Sequence, residues 1–242
     1  MGAGPRDATP HDAAPVRVLS PSAVHSSLEA IVEAHRERGG GEVRLKFETA
    51  PAMKKLLEAG ERADIIVSPP AVMAEIVKMG KALEREQIVL GRAGVGVMVR
   101  DGQPLPDVST TEALQRALLE ADTIVHTRAS SGTYVAQLLV RLGLWERIAP
   151  KTRSFHDAQE TFTHFLGLRG RDIGFGGIPE IRRWSDRGLR LAGPLPADIQ
   201  NHTEYAAALA TSPLNARAAR DFLRFLAGPE ARAILTAHGV DP

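Results

Sequence analysis

Short apolar segments alternate with amphipathic helical segments along almost all of this 242-residue chain. Val43–Phe47 alternates apolar and charged residues as a half-buried strand does, and Ala63–Ser68, A-D-I-I-V-S, is interpreted as a buried parallel strand. Before these two segments, apolar residues recur at helical spacing in residues 22–38. This alternation predicts an α/β fold built from mostly parallel sheets flanked by helices.

Two longer extended segments, Ile88–Arg100 and Ile199–Ala210, interrupt the alternation. Glycines at 91, 94 and 96 would weaken an ordinary strand, but they suit a segment that passes between two lobes. We therefore predict a two-lobe molecule with two hinge crossovers, in which residues 16–94 plus 200–242 form lobe one and residues 95–199 form lobe two. Residues 1–15 are polar and rich in Pro, Gly and Ala, which predicts a disordered lead.

Composition and motifs exclude several classes of function. The chain has 30 basic and 29 acidic residues and no long basic run, so we expect no nucleic-acid partner. Its lack of cysteine excludes disulfides and thiolate metal sites, and no histidine pair has the spacing of a helical zinc site. No G-x-G-x-x-G dinucleotide loop and no apolar segment of membrane-spanning length is present. We expect no metal, no cofactor and no membrane insertion.

The segment Arg128–Tyr134, R-A-S-S-G-T-Y, is the strongest functional signal. It follows a predicted strand, Thr123–His126, and precedes a predicted helix, Val135–Leu142. It supplies hydroxyl groups and a glycine that would let the backbone approach a ligand: Ser130, Ser131, Gly132 and Thr133. With the free N–H groups of a helix start near Thr133, these groups predict an anion or carboxylate site. The alternative is an ordinary helix cap.

In a two-lobe α/β fold, the loops after the strands meet in the cleft between the lobes. The candidate ligand-binding residues are therefore Ser20, Ser22, His25, Thr49, Ser68, Arg128, Ser130, Ser131, Gly132, Thr133, Gly176 and Tyr205. Arg128 is the expected clamp for a carboxylate, because a guanidinium binds one through two parallel hydrogen bonds. Purely structural roles are the alternative for Arg128, His25 and Tyr205. Glu48 is interpreted as an exposed acid before a helix rather than a base.

Four segments carry the pattern of a known family: Val16–Leu28, Leu56–Ser68 with its E-A-G-x-x-A-D, Tyr134–Ile148, and Phe222–Ile234 with its F-L-x-F-L-x-x-P-E-A. Together they resemble the molybdate-binding proteins of ABC transporters, which have the type II periplasmic binding protein fold. The resemblance covers residues 16–240. It implies capture of a small anion in the cleft, a possible ABC transporter permease as partner, and a monomer.

The chain departs from that family at the positions that would bind the oxyanion. The family has a Ser after the first strand, Ser-Ser-Gly after the second, and a Tyr in the loop before the return crossing. Here the first position falls at or near Ala23, the second loop reads Glu48-Thr49-Ala50-Pro51, and the late loop has no Tyr. We therefore predict an organic carboxylate ligand, with molybdate or tungstate as the minority alternative.

The sequence leaves an enzyme open as the alternative to a binding protein. The resembled family includes an aconitate isomerase, and an isomerase of a tricarboxylate would use His25, His126 and His156 as catalytic residues. A cytoplasmic anion sensor is a further alternative. The N-terminal residues show no apolar secretory segment. We expect a periplasmic location if a signal peptide has been removed and a cytoplasmic one otherwise.

Overall fold

The computed structural model describes residues 14–241. Its strands are β1 Val16–Ser20, β2 Val43–Phe47, β3 Ile65–Ser68, β4 Ala82–Arg100, β5 Thr123–Thr127, β6 Thr152–Phe155, β7 Asp172–Gly177, β8 Leu189–Pro194 and β9 His202–Ala210. Its α-helices are α1 His25–Glu37, α2 Ala50–Glu58, α3 Pro70–Lys78, α4 Thr111–Glu120, α5 Ser130–Arg141, α6 Trp145–Ile148, α7 Ala158–Gly167, α8 Ile178–Arg183, α9 Ala216–Leu226 and α10 Pro229–Ala237. The predicted disordered lead, residues 1–15, lies outside the described residues except for its last two.

Two groups of parallel strands form the centres of the sheet. Strand β1 lies between β2 and β3, and strand β5 lies between β6 and β7, with parallel pairing throughout. The long strands β4 and β9 join the groups and pair antiparallel, which gives the order β2-β1-β3-β9-β4-β7-β5-β6, with β8 also on β4. The predicted α/β class is confirmed. The antiparallel pairs all involve the two segments predicted to cross between lobes.

Strand β4 changes partners midway along its length. It pairs with β9 as far as Gly94 and with β7 from Val95 onward. The first crossing was predicted at this point, although β4 begins at Ala82, earlier than the predicted Ile88. The division into lobe one (16–94 plus 200–242) and lobe two (95–199) remains a prediction.

Gln200 binds the two crossing segments to each other. Its Oε1 accepts hydrogen bonds from the N–H of Val95 at 2.9 Å and of Asn201 at 2.9 Å. Its Nε2 donates to the carbonyl oxygens of Val95 at 3.0 Å and Leu195 at 3.3 Å. One side chain thus adds hydrogen bonds to backbone groups of both segments, beside the direct bond from the Val95 N–H to the Asn201 carbonyl oxygen at 3.2 Å.

Helices cover both faces of each parallel group. On the first group, α1, α9 and α10 bury Leu28, Phe222 and Leu235, and α2 and α3 bury Met53 and Ile76 on the opposite face. The second group carries α4, α5 and α6 on one face, and α7 and α8 with the Phe162–Trp184 aromatic contact on the other. Burial on two faces explains why β3 is apolar or small along its whole length and β7 is so after Asp172. Within residues 14–241, no helix combines the length and apolar character needed to cross a membrane.

Candidate functional site

A cavity of about 500 Å³ lies at the carboxyl ends of the parallel strands, beside the crossing strands β4 and β9. We call it the main cavity, and its wall is formed by residues 21–23, 48–51, 69, 93–95, 128–131, 133, 156–158, 177, 180, 203 and 205. Ligands of α/β proteins bind at this edge of the sheet. Segments on both sides of the crossing contribute to the wall.

The start of α5 forms part of this wall. The helix begins at Ser130, five residues before the predicted start at Val135, so the hydroxyl segment is its first turn rather than a preceding loop. The N-cap residue is Ala129, and no side chain caps the first turn. The alternative of an ordinary Ser or Thr cap is therefore wrong. Ser130, Ser131 and Thr133 line the main cavity instead, beside N–H groups that the helix itself leaves free.

Gly132 is buried beneath that turn and does not line the cavity. A Cβ at this position would lie 1.8 Å from the carbonyl oxygen of Thr127. The glycine therefore lets α5 pack against the end of β5. The predicted contact of Gly132 with a ligand is replaced by this structural role.

Arg128 stands at the edge of the main cavity with an exposed side chain. Its backbone N–H donates to the carbonyl oxygen of Phe155 at 2.7 Å, which fixes the loop after β5 to the end of β6. Among residues 14–241 its guanidinium has no ion-pair partner. A fixed backbone with an unpaired guanidinium is suited to receiving an anion.

The structure separates the other predicted ligand-binding residues into two groups. Ser22, Thr49 and Tyr205 line the main cavity. Ser20 and Ser68 are buried, and their hydroxyls donate to the neighbouring carbonyl oxygens of Pro21 at 3.1 Å and Pro69 at 3.2 Å. Gly176 is buried against Phe162. These last three residues lie outside the cavity wall.

The three candidate catalytic histidines have different surroundings. His126 is 5% exposed, its Nδ1 lies 2.8 Å from the carbonyl oxygen of Thr127, and it does not line the main cavity. Burial lowers the pKa of His126, so the ring is neutral at pH 7. His156 lines the main cavity. His25 lies beside the cavity rather than in its wall.

His25 belongs to an adjoining space of about 310 Å³, which we call the side chamber. Its ring stacks on Phe47 with centroids 3.7 Å apart, and its Nε2 lies 3.0 Å from Glu29 Oε1 and 3.3 Å from Arg183 Nη2. Burial lowers the pKa of His25, although the hydrogen bond that the imidazole donates to Glu29 acts in the opposite direction. The side chamber shares residues with the main cavity: Ser22, Glu48, Thr49, His156, Asp157, Ala158 and Glu180.

Glu180 is a wall residue that the sequence interpretation missed. It lies at the third position of α8, a helix that was not predicted, and its carboxylate accepts the N–H of Gly177. Burial raises the pKa of Glu180 to about 7, although Gly177 and Arg183 both favour the ionised form. Pro179 in the first turn and an acid three residues after Gly177 were the available signal for this helix start.

Tyr205 lies close enough to Glu180 for their charges to interact. The tyrosine is only 6% exposed, and its hydroxyl is hydrogen-bonded to the Thr203 side chain. Burial raises the pKa of Tyr205, and the charge of Glu180 raises it further. The phenol is therefore neutral at pH 7 and offers a polar group at the cavity wall.

The main cavity is of mixed chemical character. Its wall carries three carboxyl groups, from Glu48, Asp157 and Glu180, against the guanidinium of Arg128 and the imidazole of His156. Apolar side chains contribute the remainder: Pro21, Ala23, Pro51, Pro69 and Val95. Such a wall offers both charged contacts and hydrocarbon contact to a ligand.

Comparison with known proteins identifies the family. The family model for bacterial extracellular solute-binding proteins matches residues 16–241. An aconitate isomerase from Pseudomonas sp is 24% identical over 233 residues, covering 93% of this chain and 87% of that protein. The molybdate-binding protein ModA of Escherichia coli (strain K12) is 22% identical over 236 residues, covering 94% and 89%.

A solved structure supports the same assignment. The periplasmic molybdate-binding protein of Azotobacter vinelandii superposes with a TM-score of 0.75 at 16% identity, covering 94% of this chain and 99% of that one. The predicted resemblance to molybdate-binding proteins is thereby confirmed. The chain belongs to the family of bacterial extracellular solute-binding proteins.

Proposed function

We propose that this protein captures a small organic carboxylate in the main cavity and delivers it to an ABC-type importer. The observation that carries the proposal is the unpaired guanidinium of Arg128 beside the uncapped first turn of α5. A carboxylate there would receive a bidentate arginine contact together with hydroxyl and backbone N–H donors. The periplasm is the compartment that fits this role.

The size and lining of the main cavity favour an organic ligand over a bare metal oxyanion. A volume of about 500 Å³ falls within the range of about 300 to 1,000 Å³ typical of sites for small organic molecules. A tetrahedral oxyanion makes all its contacts through oxygen, whereas the proline and alanine side chains of this wall offer only apolar contact. Ser20 and Ser68, two of the hydroxyls that would have suited an oxyanion, lie outside the cavity wall and donate to backbone carbonyl oxygens.

Closure of the two predicted lobes would be driven by a ligand that contacts both. Thr49 and Ser22 lie on predicted lobe one, and Arg128 and Ser130 lie on predicted lobe two. A ligand favours the closed state only through contacts that exist in that state and are absent from the open one. A carboxylate bound at Arg128, with its carbon skeleton against the residues of lobe one, meets this condition.

Isothermal titration calorimetry with acetate, succinate, trans-aconitate, sulfate and molybdate tests the proposal. We expect a carboxylate to bind, and Arg128→Ala to weaken it by about 10- to 100-fold, the cost of a lost charge-assisted contact. Arg217→Ala is the matched control, because Arg217 is exposed on α9 and lies outside the cavity wall. Binding of molybdate alone, or equal affinity in the Arg128 and Arg217 variants, would refute the proposal.

A second candidate function is isomerisation of a tricarboxylate. The observation that favours it is Glu180, a carboxyl group on the cavity wall whose pKa of about 7 suits proton transfer at neutral pH. One relative of the chain is named aconitate isomerase. In such an enzyme Glu180 and His156 would be the proton-transfer groups, whereas His126 is too deeply buried.

Proton NMR of cis-aconitate incubated with the protein distinguishes catalysis from binding. Appearance of trans-aconitate, abolished in Glu180→Gln and retained in Arg217→Ala, would support the enzyme. Recovery of unchanged cis-aconitate from a protein that binds it would exclude isomerisation and support the binding function.

A further inference from the structure

We propose that Glu180 takes up a proton when the carboxylate ligand binds, and that its neutral carboxyl group donates a hydrogen bond to that ligand. The inference rests on the proposed function and adds a second determinant of specificity to the same site. Glu180 lines both the main cavity and the side chamber, so its carboxyl group lies where the two spaces join.

The geometry around Glu180 leaves one face of its carboxyl group for a ligand. Its carboxyl group accepts the backbone N–H of Gly177. The buried Tyr205 is close by, but its hydroxyl is already engaged with Thr203. An ionised carboxylate could only accept further hydrogen bonds, whereas a protonated one also donates one. Since a ligand carboxylate has only acceptors, the protonated form is the complementary one.

The charged and titratable groups around Glu180 determine the direction of the proton movement. They come from every element that packs around the two spaces: Glu48 after β2, Asp157 and His156 before α7, Arg183 on α8, Arg128 before α5, His25 on α1 and Tyr205 on β9. The carboxylate of Asp157 opposes a negative charge on Glu180, and Arg183 favours it. Arg183 also lies against His25, at 3.3 Å between Nη2 and Nε2.

A bound anion would place a further negative charge near the carboxyl group of Glu180. Burial raises the pKa of Glu180 to about 7, so its carboxyl group can gain or lose a proton near neutral pH. A ligand carboxylate in the same cavity raises that pKa further, and a proton is taken up from solvent. Anion affinity must then fall as the pH rises above 7, because more of the free protein has lost the proton that binding requires.

Calorimetry with trans-aconitate in two buffers of different ionisation enthalpy measures the proton uptake directly. The titrations are run between about pH 6 and about pH 8.5, above the usual pKa of carboxylic acids. We expect net proton uptake at about pH 7.5, and an affinity that falls by up to about tenfold for each pH unit above 7. The Glu180→Gln variant keeps a neutral donor, so it should bind without proton uptake and with little pH dependence.

Two control variants isolate the role of Glu180. His156→Gln removes the imidazole of the main cavity wall, and proton uptake on binding should survive in this variant because Glu180 is intact. Glu146→Gln changes an exposed acid on α6 outside the wall and should behave as the wild type. Proton uptake that survives in Glu180→Gln and disappears in His156→Gln would overturn the inference.

The remaining outcomes separate this inference from the proposed function. Tight binding of trans-aconitate with no proton uptake, or with proton release, would overturn the role of Glu180 and leave the carboxylate function intact. Failure of every carboxylate in the panel to bind at any pH would overturn both.

Discussion

Gly132 illustrates how a residue of a functional segment serves the fold alone. The side-chain hydrogen is all that fits there, because a Cβ would lie 1.8 Å from the carbonyl oxygen of Thr127. We expect Gly132→Ala to lower the free energy of unfolding by about 2 to 3 kcal/mol through overpacking. Urea denaturation followed by circular dichroism measures this change in the free energy of unfolding.

A matched glycine should respond in the opposite direction. Gly167 is the last residue of α7, and a Cβ there would meet no atom within 4 Å. Gly167→Ala should leave stability unchanged or raise it by up to about 1 kcal/mol. Equal destabilisation by the two substitutions would contradict the packing argument at Gly132.

Glu180 should make stability depend on pH in the absence of ligand. Burial raises its pKa from 4.5 to about 7, so above pH 4.5 the folded state binds more protons than the unfolded state. Its favourable contribution is complete below 4.5 and is lost as the pH rises through 7. Relative to wild type, Glu180→Gln should gain up to about 3 kcal/mol between about pH 4.5 and pH 8. Denaturation curves at the two pH values test this, and a constant difference would contradict the raised pKa.

Individual side chains of the site were only partly predictable. Arg128, Ser130, Ser131 and Thr133 line the main cavity as their positions in the segment suggested. Ser20 and Ser68 do not, because each hydroxyl finds a neighbouring backbone carbonyl as its acceptor. A sequence indicates which loop reaches an edge of the sheet, but local hydrogen bonds decide which way a short polar side chain points.

At the scale of elements, α4 begins one residue later than the sequence pattern around it indicates. The pattern Ser109-Thr-Thr-Glu112 has the spacing of a capping box that opens at Ser109, yet the N-cap is Thr110, whose side chain accepts the N–H of Ala113 at 3.1 Å. The Ser109 hydroxyl donates instead to Asp107 at 2.6 Å. The same spacing recurs at Asp157-Ala-Gln-Glu160, where Asp157 is the N-cap and accepts from the N–H of Glu160 at 2.9 Å, but Glu160 accepts from the N–H of His156 rather than of Asp157.

The two candidate caps give a direct experimental comparison. Thr110→Ala removes the acceptor of the first turn and should cost about 1 kcal/mol of unfolding free energy. Ser109→Ala leaves that acceptor in place and should change stability by less than about 0.5 kcal/mol. Chemical denaturation of both variants is sufficient, and a larger effect at Ser109 would show that the cap is misassigned.

Elements with a strong apolar pattern were predictable, and short or polar ones were not. Strands β2, β3 and β5 lie close to their predicted bounds. The missed helix α8 has only six residues, too few to repeat a helical pattern, and it carries Glu180. Strand β4 extends back to Ala82 through charged residues, where its register with β9 shifts between Ala82 and Gln87. Where the local sequence pattern was ambiguous, contacts with distant parts of the chain determined the bounds of the element.

For the molecule as a whole, Gln200 is the residue on which the joint between the two parallel groups depends. Gln200→Ala would remove three hydrogen bonds to the crossing segments and one to Leu195. We expect a loss of about 1 to 3 kcal/mol in stability and faster amide exchange around Val95. Hydrogen exchange by mass spectrometry measures the amide exchange around Val95, and chemical denaturation measures the loss in stability. Gln87→Ala, at an exposed position on β4, is the control, and matching exchange in the two variants would contradict the role of Gln200.

The overall topology followed from the order of elements more securely than the site did. The two long segments were predicted to join two α/β units, and β4 and β9 do join the two parallel groups. Their antiparallel pairing was not predicted, because alternation of strands and helices indicates only the parallel units.

The position of β9 has a consequence for how the chain acquires its fold during synthesis. This strand is made after residue 201, yet it lies between β3 and β4, two strands made before residue 101. Until β9 leaves the ribosome, β3 and β4 each keep an unpaired edge. The sheet formed by the N-terminal strands is therefore completed only when the C-terminal part of the chain has been synthesised.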